Sequence, residues 1–377
     1  MSTLLHQLKV LDFSTLLPGP FASLYLADLG AQVVHIESPT RTDLMRVLPP
    51  FAEGQATAHS YLNRNKQSIS LDLKDPANIA MIKARICEYD IVIEQFRPGV
   101  MQRLGLDYAS LSQINPKLIY CSITGYGQTG AYQDKAGHDI NYVALSGIMG
   151  HSGRKNHLPP ALGIQMADVA GGSFHAVMGI LAAVIERYSS GLGQHIDISM
   201  TDCVVSLNTM NAASVLAGNT KVEPETGALN GGSFYDYYQT KDHRYLAIGG
   251  IEAKFVRGLA DILDLPDLTE GNKSFDQLDA AVVKPQIQEK IVQKTLAEWQ
   301  AIFSQHDVCV EAVLNLDEAL HSDLARERGW VVNVPLTQDA KQTQAQLGCP
   351  IQFSRSKKRY DFVGQALNAG QWLDHLD

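Results

Sequence analysis

Two hydrophobic periods take turns along the first third of the chain. Leu8 to Phe13 (LKVLDF) is a short apolar run with the length of a buried strand. Pro18 to Gly30 (PGPFASLYLADLG) has proline where a first helical turn would be and glycine just past the last, which predicts a helix. Ala31 to Glu37 (AQVVHIE) predicts the next strand. Strands over Ser68 to Leu73, Asp90 to Phe96 and Leu118 to Thr124 follow, with helices near 75–88 and 108–114 between them. Strands of branched apolar residues joined by helical crossovers predict an α/β fold built on a Rossmann-like, doubly wound parallel sheet.

A glycine-rich loop (TGYGQTGAY) and the stretch KAGHDINYVALSG come next. A helix is expected over Gln165 to Tyr188, a strand over Gly193 to Met200 and a helix over Thr201 to Gly218. The pattern changes near Asn219. GSFYDYYQTKDHRYLAIGG alternates around a Lys-Asp-His-Arg turn, a hairpin signal. Helical and polar segments continue to about Leu320, and Trp330 to Leu336 reads as a strand returning to the first body. The expected division is a large domain of residues 1–218 and 321–377, with a smaller α+β domain over 219–320.

Composition narrows the classes. The chain has 377 residues, 45% hydrophobic and 19% charged, as in ordinary globular proteins, and is too long for one small core. A net charge of −9 argues against a nucleic-acid partner, though not against an anionic small molecule held by a few local cations. The five cysteines (Cys87, Cys121, Cys203, Cys309, Cys349) form no C-x-x-C pair, which fits a reducing cytoplasm. The N-terminus lacks a signal-peptide pattern. The apolar run Met178 to Ile185 is shorter than the roughly 20 residues of a membrane span, so no membrane partner is expected. The final HLD is not a Ser-Lys-Leu peroxisomal signal.

Several residues invite chemistry. Glu37 ends the first β-α-β unit, as an acid does in dinucleotide folds, but the loop after Asp12 (STLLPGP) lacks the G-x-G-x-x-G that brings backbone to a pyrophosphate. His138-Asp139 and His195-x-Asp197 could suggest metal ligands, yet neither pair has further ligands at a closing spacing, and no metal is expected. Asp168 lies near a helix start, either as a first-turn acid favoured by the dipole or beside backbone N–H groups that could hold an oxyanion. Gly171 and Gly172 would let another group approach that backbone. Glu252 follows a strand and two glycines and reads equally as a solvent-facing acid or a site residue. Arg41, Arg64, Lys66, Lys74, Arg97 and Arg103 are surface charges or phosphate contacts, since ligands of doubly wound sheets bind beyond the strand ends.

At these residues the chain resembles the class III CoA-transferase (CaiB/BaiF) superfamily. The matching segments run in order to about Phe255: DFSTLLPGPFASLYLADLGAQVVHIE, NRNKQSISLDLKDP, FRPGVMQRLGL, NPKLIYCSITGYGQTG, AGHDINYVALSG, MADVAGGSFHAVMGILAAVIERYSSGLGQHIDISM and GGSFYDYYQTKDHRYLAIGGIEAKF. Within the superfamily, the histidine of G-H-D-x-N-Y resembles the α-methylacyl-CoA racemase branch, where transferases usually carry an aromatic residue. The resemblance implies that His138 and Asp168 are the catalytic pair, with Glu252 the carboxylate beside the histidine. It implies coenzyme A binding by Leu71, Asp72, Leu73 and Lys74, by Gly137, Asp139, Ile140, Asn141 and Tyr142, and by Arg103. Where that branch has an arginine after the second strand, this chain reads Glu37-Ser38-Pro39, and Arg41 is the candidate replacement.

The implied activity is racemisation of 2-methyl-branched acyl-CoA thioesters by α-proton removal and return through an enolate. Two bases serve the two faces of the carbon, and no cofactor is needed beyond the coenzyme A carried in with the substrate. Backbone N–H groups near Asp168 are the expected enolate donors. The alternative is transfer of CoA between carboxylic acids through a covalent intermediate on Asp168. The implied assembly is an interlocked homodimer.

Overall fold

All six strands expected in the first two hundred residues are present, and they pair in parallel. β1 (Lys9–Asp12), β2 (Gln32–Glu37), β3 (Lys66–Ser70), β4 (Ile91–Glu94), β5 (Ile119–Thr124) and β6 (His195–Ser199) form one sheet in the order β3-β2-β1-β4-β5-β6. This is a computed structural model, and it describes residues 3–218, 221–268, 278–370 and 372. From β1 the chain steps outward to β2 and β3, then crosses back to β4 and continues outward to β5 and β6. The direction of winding therefore reverses between β1 and β4, and a crevice opens there beyond the carboxyl ends of the strands.

Burial explains the strand sequences. Val10, Leu11, Val34, Val92, Ile93 and Cys121 are at most 1% exposed, so both sheet faces are covered and the strands read as continuous apolar runs. The helix α1 (Pro18–Asp28) is buried at all but one of its positions, which is why its sequence shows apolar residues all round rather than a stripe. The third strand begins earlier than expected, at Lys66 rather than Ser68, because the charged residues ahead of it are interior. The expected helix over 201–218 is two: α7 (Met200–Ser206) and α8 (Thr209–Leu216). Between the strands, α2 (Pro76–Arg85), α3 (Val100–Leu104), α4 (Tyr108–Leu111), α5 (Asp139–Leu145) and α6 (Phe174–Ser190) complete the first body.

Arg64 and Lys66 are interior structural cations, not phosphate contacts. Arg64 is 1% exposed and meets Asp28 by two bonds (Nε–Oδ1 2.9 Å, Nη2–Oδ2 2.5 Å). Its Nη1 donates to the Leu347 carbonyl at 2.6 Å, and its plane lies 5.1 Å from the Tyr61 ring centroid and 5.0 Å from that of Tyr360. Lys66 Nζ donates to the Pro20 carbonyl (2.8 Å) and Asn63 Oδ1 (3.1 Å), with Asp12 at 3.7 Å. Burial lowers its ammonium to about 8 against those partners. These two side chains tie the segment ahead of β3 to α1 and to the returning C-terminal segment.

The chain divides into two units. One comprises Met1–Ser146, Leu162–Leu207 and Asp323–Asp377; the other comprises Gly147–Ala161 and Asn208–Ser322. The division thus falls at Asn208, where α7 gives way to α8, and the second unit also takes the segment 147–161. The expected boundary residue Asn219 lies outside the described residues, as does the HLD terminus. In the second unit β7 (Asp236–Gln239) and β8 (Tyr245–Ile248) form the expected hairpin, and β9 (Val310–Ala312) adds to β8, all antiparallel. Helices α9 (Ala253–Leu263), α10 (Ala280–Ile291) and α11 (Leu296–Phe303) close a core around Leu246, Leu259, Ile287 and Trp299. Arg154, from the early segment, bridges Asp236 and Glu225. In the first unit, β10 (Val331–Pro335) pairs with β11 (Thr343–Leu347). All five cysteines are unpaired.

Among the described residues, one helical run, Ala167–Ser190, has the length and apolarity of a membrane span. Ala176, Val177, Ile180, Ala183 and Val184 of that run are buried, and α6 packs on β5 and β6, as a crossover helix of this fold does. Replacing Arg64 with Met should strand the buried Asp28 carboxylate and cost about 3–5 kcal/mol in urea unfolding, while a companion Asp28→Leu change should restore most of the loss.

Candidate active site

The crevice predicted by the strand order is present. A cleft of about 300 Å³ lies in the first unit beyond β1, β4 and β5. Leu16 and Pro18 follow β1, Gln95 to Pro98 follow β4, and Gly125 and Tyr126 follow β5. His138 and Asp168 both line this cleft, from different segments of the chain.

The chain carries Asp168 on a π-helical turn, Ala167–Ser173, which runs directly into α6. Such wide turns interrupt the regular hydrogen-bond ladder and are frequent at functional sites. Gly171 and Gly172 are buried here. A Cβ on Gly171 would lie 3.0 Å from the Met200 carbonyl, and one on Gly172 would lie 3.2 Å from Pro18 Cβ. The group these glycines admit is the protein's own backbone and α1, not a ligand.

His138 sits just ahead of α5, and its N–H donates to Asn141 Oδ1 at 3.0 Å, closing the helix start. Its neighbour Asp139 reaches across to the π-turn. Asp139 Oδ1 accepts the N–H of Ala167 (2.5 Å) and of Asp168 (3.1 Å). This one oxygen docks the histidine segment on the aspartate segment. It also corrects an expectation: the N–H groups at Ala167 and Asp168 are already taken and cannot hold an enolate. The N–H groups of Asp139 and Ile140, at the first turn of α5, have no acceptor within the helix.

Tyr142 locks the glycine-rich loop. Its hydroxyl donates to the Gly137 carbonyl at 2.5 Å, and its ring packs edge-on to Tyr126 at 5.2 Å. A Cβ on Gly125 or Gly137 would come within 2.3 or 2.6 Å of that ring, so both positions require glycine. Burial pushes the Tyr142 phenol up to about 12, which keeps it a neutral donor.

Asp168 is the cleft group whose acidity the fold changes most plainly. Burial first, and the Asp139 charge second, raise its carboxyl to about 6, while His138 pulls the other way. Glu37 shows the opposite. Arg46 holds it by two bonds (2.6 and 2.7 Å), Ser68 adds a third at 2.6 Å, and these outweigh burial to bring it to about 2. Its oxygens are committed to Arg46 and Ser68, so it holds no ribose.

The other expected residues separate into groups. Gly137 and Tyr142 line the cleft with His138 and Asp168; Asp139 and Asn141 shape it through caps. Leu71, Asp72, Leu73 and Lys74 lie beyond β3, outside the cleft. Leu71 and Leu73 pack on the core of the first unit, and Asp72 accepts the Lys74 N–H at 3.0 Å. Ile140, Arg41 and Arg103 are exposed, and the Arg41 N–H donates to Ser38 Oγ at 3.1 Å. Glu252 belongs to the second unit, one residue before α9. His195 and Asp197 hold no metal geometry: no group of three acidic, histidine or cysteine side chains suits an ion among the described residues. Sequence reasoning missed Gln95, Phe96 and Lys135 as cleft residues. For Gln95 and Phe96 the signal was available, since QFRPG directly follows β4 at the point of reversal.

Residues 5–364 match the family described as CoA-transferase family III. The chain belongs to this family. Human alpha-methylacyl-CoA racemase is 35% identical over 365 residues, covering 96% of this chain and 91% of that protein. Human succinyl-CoA:glutarate CoA-transferase is 36% identical over 271 residues, covering 71% of this chain and 61% of that protein. A crystal structure of a CAIB/BAIF family protein from Brucella suis superposes with a TM-score of 0.83 at 29% identity, covering 98% of this chain and 97% of that one. The mixed α/β architecture with its six-stranded parallel sheet is thus the architecture of family III.

Because burial and the Asp139 charge raise its pKa in the folded state, Asp168 binds a proton more tightly in the native than in the unfolded chain. Its contribution to stability therefore falls as pH rises from about 4 to about 6 and stays low above that. Asp168→Asn should stabilise the protein at neutral pH by on the order of 1–3 kcal/mol and leave it little changed near pH 4, as read by denaturant titration at the two pH values.

Proposed function

We propose that the protein inverts the α-carbon of 2-methyl-branched acyl-CoA thioesters. The observation that carries this reading is that His138 and Asp168 line one cleft. Relatives of both activities are similarly close, so the choice between inversion and CoA transfer rests on the histidine. Transfer needs Asp168 alone as nucleophile. Inversion needs two groups that exchange protons at one carbon.

In the inversion, one of the pair removes the α-proton and the thioester becomes an enolate. The other returns a proton to the opposite face. An aspartate brought to about 6 is ionised at neutral pH yet close enough in acidity to give the proton back. Glu252 would pair with His138 and stabilise its protonated form in the assembled enzyme. Leu71 to Lys74, Arg103 and Arg41 would serve coenzyme A along the rim of the sheet, and neither a metal nor a redox cofactor takes part.

A homodimer in the cytoplasm completes the reading. Met178, Ile185 and Tyr188 on α6 are 56, 70 and 79% exposed, which leaves an apolar stripe for a second copy. Sedimentation should show a dimer that Ile185→Glu weakens; a monomer at all concentrations would remove this part of the proposal.

The chemistry is tested with one enantiomer of a 2-methylacyl-CoA in deuterated water. Deuterium should enter at the α-carbon with loss of stereochemical purity, independent of any free acid. His138→Ala and Asp168→Ala should each slow the inversion by about 10²–10⁴-fold. Acceptor-dependent CoA transfer without exchange, lost in Asp168→Ala and kept in His138→Ala, would establish the transferase instead.

A further inference from the structure

The wall that β4 contributes to the cleft has a second side. Beyond it, in the same unit, lies another cleft of about 450 Å³. Arg97 and Pro98 line both. Glu94, the last residue of β4, is 3% exposed and lines only the far one. The strand register sets it beside Ser122 of β5 and Ser122 beside Asp197 of β6. Ser122 Oγ lies 3.0 Å from His195 Nε2. The catalytic scheme above uses none of these groups.

Glu94 nevertheless acts on the near side. Its Oε2 accepts the N–H of Phe96 at 2.8 Å, turning the chain sharply after the strand. Gln95 Oε1 accepts the N–H of Gly19 at 2.9 Å, at the start of α1. Two side chains thus pin the strap Gln95–Pro98, one to its own strand and one to α1, and the pinned strap forms the cleft wall.

We propose that Glu94 is a positioning residue for the acyl-CoA cleft: it fixes the Gln95–Pro98 strap from behind, without touching substrate, and its ionisation sets how firmly the strap is held. This rests on reading the first cleft as the acyl-CoA site, and holds for inversion or transfer alike.

A carboxylate accepts an N–H more strongly than a neutral carboxyl does. Burial first, with repulsion from Asp197, brings Glu94 up to about 7, against hydrogen bonds from Ser122 and the Phe96 N–H. The ionisable groups around it are Asp197 and His195 of β6, Tyr120 and Cys121 of β5, Arg97 of the strap, Asp107 ahead of α4 and Asp134 of the loop after β5. Above about 7 the ionised carboxylate holds Phe96; below it, the protonated group holds Phe96 less well. KM for acyl-CoA should therefore rise as pH falls through 7.

The test compares wild type, Glu94→Gln and Glu94→Ala. KM and kcat are measured on either side of pH 7, and coenzyme A itself is titrated by calorimetry. Glu94→Gln keeps an acceptor oxygen without a titrating proton, so its KM should stay near the wild-type value and lose the pH dependence assigned here. Glu94→Ala should raise KM about tenfold above pH 7, by less below it where the wild-type grip is already weakened, with kcat within about twofold, the effect of one lost hydrogen bond on binding. If Glu94→Ala does not fold, the pH profile of Glu94→Gln decides alone. Unchanged KM and coenzyme A affinity in Glu94→Ala, or a KM pH profile in Glu94→Gln identical to wild type, would overturn the inference and leave the function standing. Failure of wild type to bind coenzyme A or acyl-CoA would instead remove the reading of the cleft, and the inference with it.

Discussion

One carboxylate oxygen holds the site together. Oδ1 of Asp139 accepts two N–H groups of the turn that carries Asp168, and Asp139 is the next residue after His138. A backbone N–H buried without a partner is costly, so this contact fixes the separation of the two segments as firmly as a regular hydrogen-bond ladder would. After burial, the same charge held close to Asp168 is the next cause that makes that residue a weaker acid. Geometry and acid strength at the site therefore share a cause. The Asp139 side chain contributes to both.

The fold around this contact divides its polar groups by task. Near the sheet, charges are consumed internally: Arg64 by Asp28, Glu37 by Arg46, Lys66 by carbonyls of α1 and the segment before β3. Each is a buried charge whose removal would leave its partner uncompensated, so each enforces one arrangement of the segments it joins. At the reversal between β1 and β4, the cleft groups are left with fewer internal partners. At Asp168 it is the backbone N–H, not the side chain, that meets Asp139.

The parallel sheet was legible because its strands are buried on both faces and so are written as unbroken apolar runs. His138 and Asp168 were singled out through the family resemblance, since local pattern alone reads Asp168 as well as a first-turn acid; the structure sets both along one cleft. The role of Asp139 was not legible, since its partners lie 28 and 29 residues further on and nothing local marks a cap at that range. Arg64 and Lys66 misled for the opposite reason: charge in sequence implies surface, and only the distant residues Asp28 and Leu347 show why they are interior. The segment 147–161 was illegible as part of the second unit. It has no periodicity, and its membership depends on Arg154 meeting Asp236 some eighty residues later.

That ion pair carries a consequence for inheritance. The second unit is assembled from two stretches of chain separated by the turn and helix that bear Asp168. Asp236 is met by Arg154 from one stretch and Lys284 from the other. No single cut-and-paste event could move this unit to another protein intact. A contiguous copy of 208–322 would arrive with one of Asp236's two cations missing, and a contiguous copy of 147–322 would take the turn that bears Asp168 along. A contiguous exchange therefore cannot carry the second unit whole without also carrying part of the first.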